Sequence, residues 1–146
     1  MSQLQHARSF KDLIVHQKTR AVAKRIFEVT KRFPKEEMYS LTDQVRRSSR
    51  SVGAQIAEAW AKRRYEKHFI SKLTDADGEL QETQHWIETA ADCGYLTWEE
   101  ARSLTGELAE IGRMLYSMVE KASSFCIAPP FMLGESAGVY FTSSDE

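Results

Sequence analysis

The sequence has few cysteines and prolines and contains no long apolar run. Of its 146 residues, two are Cys and three are Pro. It lacks the run of about 18 apolar residues that a transmembrane helix needs, and its first residues lack the apolar core of a secretory signal. Cys93 and Cys126 form no CxxC pair, so we expect reduced thiols. These absences predict a cytoplasmic protein with no membrane partner.

Motifs for catalysis and for cofactor or metal binding are equally scarce. No glycine-rich phosphate loop occurs, and the four histidines are scattered along the chain: His6, His16, His68 and His85. Glu82-x-x-His85 supplies half of a di-iron motif, but a carboxylate-bridged site of that kind needs a second such pair, which the sequence does not have. We therefore expect no enzymatic activity, no cofactor and no metal site.

Charge divides the chain into two halves. Residues 1–72 contain 17 Lys and Arg against 7 Asp and Glu, whereas residues 73–146 contain 3 against 14, although the whole chain has a net charge of only −1. A basic half can bind the phosphate backbone of a nucleic acid. It can equally pair with the acidic half, within one chain or between subunits. The charge pattern leaves both alternatives open.

Apolar residues recur at steps of three and four over four segments, which predicts four amphipathic helices. The first runs from about Phe10 to Arg32, with Ser9 and Asp12 as its capping box and Pro34 ending it. Its core positions are Val15, Val22, Ile26, Val29 and Phe33, and a basic row at steps of seven is formed by Lys11, Lys18, Arg25 and Arg32.

The second helix begins after Ser40 as N-cap and ends near Arg63; its core stripe is Leu41, Val45, Ser48, Val52, Ile56 and Ala59. The third helix ends at Gly94. Its core seam is unbroken and consists of Phe69, Leu73, Ala76, Leu80, Thr83, Ile87 and Ala90. The fourth starts at Thr97 with Glu100 as capping-box partner, and its seam is Ala101, Leu104, Leu108, Ile111, Leu115, Met118 and Ala122.

Short connections between these segments predict an all-α fold, an antiparallel up-down-up-down four-helix bundle over residues 1–123. After Ser123 the helical pattern stops, and Pro129-Pro130 excludes a continuing helix. Residues 124–146 are therefore predicted to form an irregular C-terminal tail, which is apolar enough to lie on the bundle or on a neighbouring subunit.

Small side chains form a second face of the second helix, at steps of four: Ser49, Gly53, Ala57 and Ala61. A glycine in the middle of a helix costs about 1 kcal/mol relative to alanine, so Gly53 indicates a close approach by another helix. Trp86 lies off the seam of the third helix, beside acidic residues, where an isolated bundle would expose it. We interpret these five residues as an oligomer interface in a self-associating protein.

Seven basic residues at the two ends of the second helix and the start of the third are the candidates for nucleic-acid binding: Arg46, Arg47, Arg50, Lys62, Arg63, Arg64 and Lys67. Binding of RNA or DNA through these residues would depend on salt and not on sequence. The alternative is that they pair with the carboxylates of the third and fourth helices. In that case the protein is an interaction scaffold without nucleic-acid binding.

Five short motifs, in order along the chain, resemble one known family: Phe10-Lys-Asp-Leu13, Phe33-Pro34, Gln44-Val-Arg46-Arg47-Ser48 with Ser51-Val52, Ile56-Ala57-Glu58, and Ala76-x-Gly78 with Glu82-Thr83. The chain resembles the four-helix-bundle proteins encoded in intervening sequences of 23S ribosomal RNA genes. It is also distantly similar to the accessory variability protein of diversity-generating retroelements. The resemblance implies a homopentameric ring without enzymatic activity, a basic surface for RNA or DNA, and a reverse transcriptase or another ribonucleoprotein component as partner.

Overall fold

The computed structural model describes residues 7–127, which form helices joined by short turns. Four long helices are present: α1 (Ile14–Thr30), α2 (Leu41–Ala61), α3 (Glu66–Asp92) and α4 (Trp98–Glu120). A single-turn helix, α5 (Ala122–Phe125), follows, and no strand occurs between residues 7 and 127. The predicted all-α fold is confirmed.

The core lies where the predicted seams meet. Every predicted seam residue of α3 and α4 is buried, and so are the predicted stripe of α2 and most of that of α1. In the stripe of α1, Val29 is only half-buried, and Thr30 beside it is buried instead. Over the described range, none of the helices combines the length and apolarity needed to cross a bilayer.

Each long helix packs against two neighbours, α1 on α2 and α4, and α3 on α2 and α4. Two contacts define the direction of each helix pair. They are Thr19–Gly53 and Thr30–Arg46 for α1 and α2, and Ser48–Thr83 and Glu58–Lys72 for α2 and α3. They are Leu80–Gly112 and Gln84–Thr105 for α3 and α4, and Lys18–Glu110 and Arg32–Glu100 for α1 and α4. In each pair, residue numbers rise along one helix while they fall along the other. Neighbouring helices are therefore antiparallel, and the four form one bundle.

The first helix begins later than predicted. The capping box of Ser9 and Asp12 exists, but it closes a separate 3-10 turn, Phe10–Asp12. Leu13 then adopts an extended conformation, with φ −75° and ψ 128°, before α1 starts at Ile14. The chain therefore bends at Leu13, whose buried side chain joins the core.

Ser40 is the N-cap residue of α2, as predicted, but its hydroxyl makes no capping hydrogen bond to the helix. Glu37, in the 3-10 turn Lys35–Glu37, makes that bond instead. Its Oε1 accepts hydrogen bonds from the Ser40 hydroxyl (2.7 Å) and the Leu41 amide (3.3 Å), and its Oε2 accepts one from the Tyr95 hydroxyl (2.8 Å). One carboxylate thus connects the start of α2 to the turn after α3.

The predicted boundary between α3 and α4 is confirmed. Gly94 has φ +80°, a conformation that favours glycine, and its N–H donates to the carbonyl of Ala91 (3.0 Å). Thr97 and Glu100 form the predicted capping box at the start of α4, with bonds of 3.0 and 2.9 Å.

The first residues of the predicted tail pack on the bundle end. Phe125 stacks on Phe69 with ring centroids 5.8 Å apart, and the N–H of Ile127 donates to the carbonyl of Arg63 (3.0 Å). Residues 128–146 lie outside the described part, so the division into a bundle of residues 1–123 and a tail of residues 124–146 stays a prediction.

Candidate functional site

The seven candidate basic residues do not form one surface. We call Arg46 and Arg50, which lie against Phe27 of α1, the arginine shelf, and Lys62, Arg63, Arg64 and Lys67, in and after the turn that follows α2, the corner cluster. The step of fifteen positions from Arg46 to Ala61 corresponds to roughly 22 Å along α2. Arg46 lies near the start of α2 and Arg50 near its middle, whereas the corner cluster follows its last residue, so the two groups are separate.

The arginine shelf is ordered by an aromatic ring and a hydroxyl. The guanidinium carbon of Arg46 lies 4.8 Å from the centroid of the Phe27 ring, and that of Arg50 lies 5.6 Å from it. Arg46 also donates from Nε to the hydroxyl of Thr30 (2.8 Å). Lys31, paired with Glu28 at 3.3 Å, approaches the same ring at 4.8 Å. Three cations therefore share one aromatic ring.

No carboxylate between residues 7 and 127 lies within ion-pair distance of Arg46 or Arg50. Cation–π contacts hold a guanidinium in place without cancelling its charge. The shelf therefore presents two fixed positive charges to solvent.

A surface depression of about 480 Å³ adjoins the shelf. It is lined by Met38, Tyr39, Thr42, Asp43, Arg46, Arg47 and Arg50. Tyr39 is 94% exposed, which is unusual for an aromatic side chain. An exposed ring beside two oriented guanidinium groups offers a stacking surface next to phosphate donors.

Arg47, which the sequence places among the same candidates, is committed elsewhere. It bonds Glu82 at 2.7 Å and Glu79 at 3.4 Å on α3. The Trp86 indole N–H also donates to Glu82 (3.0 Å); that bond, together with Arg47, lowers the pKa of the Glu82 carboxyl. The Glu82 bond in turn raises the pKa of Arg47. The charge of Arg47 is therefore largely neutralised within the chain.

The corner cluster is organised around Trp60. The guanidinium carbon of Arg63 lies 3.6 Å from the Trp60 ring centroid, and its Nε donates to the Trp60 carbonyl (2.9 Å). Lys62 and Lys67 are exposed, as is Tyr65 at the start of α3. This end of the bundle thus carries a second basic surface that also contains aromatic rings.

The basic row of α1 pairs with the acidic face of α4. Lys18 lies 3.5 Å from Glu110, Arg25 bonds Glu107, and Arg32 lies 2.8 Å from Glu100. On the opposite side of the bundle, Arg47 of α2 bonds Glu82 of α3 at 2.7 Å. The basic and acidic halves therefore meet inside one chain, and pairing between subunits stays a prediction.

The small face of α2 makes its closest contact within the chain. Ser49 and Gly53 are buried, and a Cβ on Gly53 would lie only 2.9 Å from Oγ1 of Thr19. For Gly53, the helix that approaches closely is α1 of the same protomer. A subunit contact at Ser49 and Gly53 stays a prediction.

The other three predicted interface residues remain accessible to a partner. Ala57 is half-buried, Ala61 is exposed, and Trp86 is half-buried, with its indole N–H engaged by Glu82. Their role in a subunit interface stays a prediction.

Sequence reasoning missed a set of polar residues buried at the α1–α2 contact: His16, Thr19 and Thr30. Thr19 and Thr30 continue the three- and four-residue steps of Val15, Val22 and Ile26, so extending the apolar pattern to threonine would have found them. His16 directly follows Val15 and lies three residues before Thr19, but as a histidine it does not belong to the apolar pattern.

Within residues 7–127, no group of three His, Cys, Asp or Glu side chains is placed to hold a metal ion. His85, from the half-motif considered above, is exposed and lies against Trp86, with ring centroids 4.7 Å apart.

Comparison with known proteins agrees with the helical architecture. The solved structure of a protein of unknown function from the S23 ribosomal protein family of Bacteroides thetaiotaomicron VPI-5482 is 29% identical to this chain, with a TM-score of 0.65. The match covers 73% of this chain and 99% of that one. Among curated proteins, none matches.

The family model described as 23S rRNA-intervening sequence protein matches residues 11–117, which include α1, α2, α3 and most of α4. The motifs Gln44–Ser48, Ile56–Glu58 and Ala76–Gly78 all fall within that range. The resemblance read from the sequence is thereby confirmed, and the chain belongs to the 23S rRNA-intervening sequence protein family.

Proposed function

We propose that this protein is a non-enzymatic nucleic-acid-binding component that assembles into a closed homo-oligomer, a pentamer, and acts within a ribonucleoprotein. The observation that carries the proposal is the arginine shelf. Arg46 and Arg50 are oriented by Phe27, have no carboxylate partner in the described chain, and lie beside the exposed Tyr39. Charge that is fixed and not neutralised is what a phosphate backbone requires.

Pairing elsewhere in the bundle sharpens this assignment. Arg25, Arg32 and Arg47 bond carboxylates of α3 and α4, so they would lose an ion pair on contacting phosphate. Arg46 and Arg50 would lose none. The shelf is therefore the preferred phosphate contact, and the corner cluster provides a second contact roughly 20 Å away along α2.

A filter-binding titration with a structured RNA and with duplex DNA, at about 50 and about 200 mM salt, tests the proposal. We expect binding to weaken steeply with salt. The double variant Arg46→Gln/Arg50→Gln should lose about tenfold or more in affinity and reduce the salt slope by about two, one for each phosphate contact removed. Tyr39→Ala should weaken single-stranded RNA more than duplex, because a stacking surface needs an unpaired base.

The matched control is the double variant Arg25→Gln/Arg32→Gln, which removes the same two charges from residues paired with Glu107 and Glu100. It should bind nucleic acid nearly as the wild type does. Equal losses in the control and in the shelf variant would mean that only net charge matters and would remove the assignment to the shelf.

Light scattering after size exclusion tests the assembly separately. A monomer at micromolar concentration would exclude the oligomer. An assembly that dissociates at high salt and binds no RNA would instead support the scaffold hypothesis, in which the oppositely charged halves pair between subunits.

A further inference from the structure

A groove of about 390 Å³ runs between α1 and α2, on the face that carries the small residues of α2. Its walls include Ala23, Ala54 and Ala57, and Gly53 forms part of its floor. Arg20 lines the groove from α1 and Arg50 from α2, and no acidic residue lines it. The groove is therefore apolar at its base and positive at its edges.

Two hydroxyls at the base are already committed as donors. Thr19 donates to the carbonyl of His16 (2.6 Å), and Ser49 donates to the carbonyl of Arg46 (3.0 Å). The polar groups that remain able to donate into the groove are the guanidinium of Arg20 and the imidazole of His16, because the guanidinium of Arg50 lies against Phe27, outside the groove. Neither arginine has a carboxylate within ion-pair distance among residues 7–127.

His16 is the unexplained group. It is only 8% exposed, it lines the groove, and its ring nitrogens have no hydrogen-bond partner within the described residues. The ring meets the edge of Phe10, with centroids 4.7 Å apart, and its Nε2 lies 3.7 Å from the Cβ position of Gly53. A buried polar group without a partner is costly, and a ligand in the groove would supply one.

We propose that the α1–α2 groove binds a phosphate monoester, held by the guanidinium of Arg20 and the imidazole N–H of His16. A dianionic phosphate has acceptor oxygens for several donors at once, and the guanidinium of Arg20 matches part of its charge. The alanine walls accommodate the uncharged part of the ligand. This inference goes beyond the proposed function, because its ligand needs no polynucleotide and His16 lies outside the arginine shelf.

Charge around His16 links this site to pH. Burial, and then the charge of Arg20, lower the pKa of His16 below its ordinary value. Arg50 is the charged lining residue on α2, while Asp12 of the preceding turn accepts from the amides of Arg8 and Ser9. A bound dianion favours the imidazolium, so binding of the ligand raises the pKa of His16. The affinity for the dianion therefore increases as the pH falls towards that pKa.

The test is an NMR titration of the full chain with inorganic phosphate, and with sulfate for the pH series because the charge of sulfate stays constant. We expect the His16 ring signals, assigned with His16→Gln, to shift with a dissociation constant of about 1 mM or lower and the His16 pKa to rise. Arg20→Gln should weaken binding about tenfold, the loss expected for one charged hydrogen bond.

Two controls separate the groove from general charge effects. Arg32→Gln removes an equal charge outside the groove and should leave phosphate binding unchanged. Ala54→Leu places bulk at an exposed position on the groove wall, so it should fold normally and block binding. A wild-type chain whose His16 signals do not move up to about 10 mM phosphate overturns the proposal.

The source of the monoester is distinguished with a nucleoside 5′-monophosphate and with one oligonucleotide carrying either a 5′-phosphate or a 5′-hydroxyl. Tightest binding by the mononucleotide assigns a free small molecule, and tightest binding by the 5′-phosphorylated oligonucleotide assigns a nucleic-acid end. A 5′-hydroxyl oligonucleotide that shifts His16 as strongly as its phosphorylated form overturns the assignment to a monoester. The single variant Arg46→Gln removes a shelf charge outside the groove, so it should weaken RNA binding and leave inorganic phosphate binding unchanged, and the two proposals are tested separately.

Discussion

Thr19 and Gly53 meet across the contact between α1 and α2: a Cβ on Gly53 would lie 2.9 Å from the Thr19 Oγ1. That oxygen is fixed by its 2.6 Å bond to the His16 carbonyl, and Thr19 is only 1% exposed. The side chain of Thr19 therefore cannot move aside freely, and glycine is the residue that fits opposite it.

Gly53→Ala should destabilise the protein by about 1–2 kcal/mol, because overpacking outweighs the gain in helix propensity of about 1 kcal/mol. In a Thr19→Ala background the obstructing oxygen is absent, so the same substitution should be neutral or stabilising. Urea unfolding of the four proteins in this cycle measures the coupling. Additive free energies would contradict the steric account.

Gly78 and Gly106 provide the matched controls, since nothing lies within 4 Å of the Cβ that each would gain. Both are exposed in the middle of long helices. Alanine at either position should stabilise the protomer by up to about 1 kcal/mol. If either substitution destabilises at high protein concentration but not at low, a subunit contact covers that glycine.

Tyr95 and Glu37 should titrate as a linked pair. The hydrogen bond that Tyr95 donates to Glu37 raises the pKa of Tyr95 to about 12. Hydrogen bonds from Ser40, which has the larger effect, and from Tyr95 lower the pKa of Glu37. The raised tyrosine pKa stabilises the fold below about pH 10 and ceases to do so as pH rises through the folded value. The lowered carboxyl pKa stabilises above about pH 4.5 and ceases to do so as pH falls.

Absorbance of the phenolate measures this directly. The last tyrosine to ionise should disappear from the titration in Tyr95→Phe. In Glu37→Gln the pKa of Tyr95 should move back towards its ordinary value, because the charged acceptor is gone. A titration that is unchanged in Glu37→Gln would show that the hydrogen bond does not set the pKa.

Arg25 and Glu107 should contribute little to stability despite their contact between α1 and α4. Their side chains are 41% and 42% exposed, so solvent screens the attraction. A double-mutant cycle with Arg25→Gln and Glu107→Gln should give a coupling of about 0.2–1 kcal/mol that shrinks when salt is added. A coupling well above that range would mean that the α1–α4 ion pairs act as a cooperative row.

The sequence predicts the long helices well because their cores repeat at three- and four-residue steps without interruption, as from Phe69 to Ala90. It also predicts the capping pair Thr97 and Glu100, because these two residues lie only three positions apart in the chain. It does not reveal that Ser9 and Asp12 cap a separate turn, because a 3-10 turn and the first turn of a helix share that local pattern.

The candidate site shows where periodicity stops being informative. Arg46 and Arg47 are adjacent in sequence, yet a helical step of about 100° directs one to Phe27 of α1 and the other to Glu82 of α3. Gly53 likewise indicates a close helix contact but not which helix makes it. Both questions depend on which element lies alongside, and that is a property of the tertiary arrangement.

The ion pairs between α1 and α4 and between α2 and α3 join two helical hairpins, α1–α2 and α3–α4, and each hairpin carries residues that pair with opposite charges on the other. Within either hairpin alone, the unpaired charges would repel one another. Severed in the turn after α2, the two fragments should therefore recognise each other as separate polypeptides, and their association rate should fall as ionic strength rises.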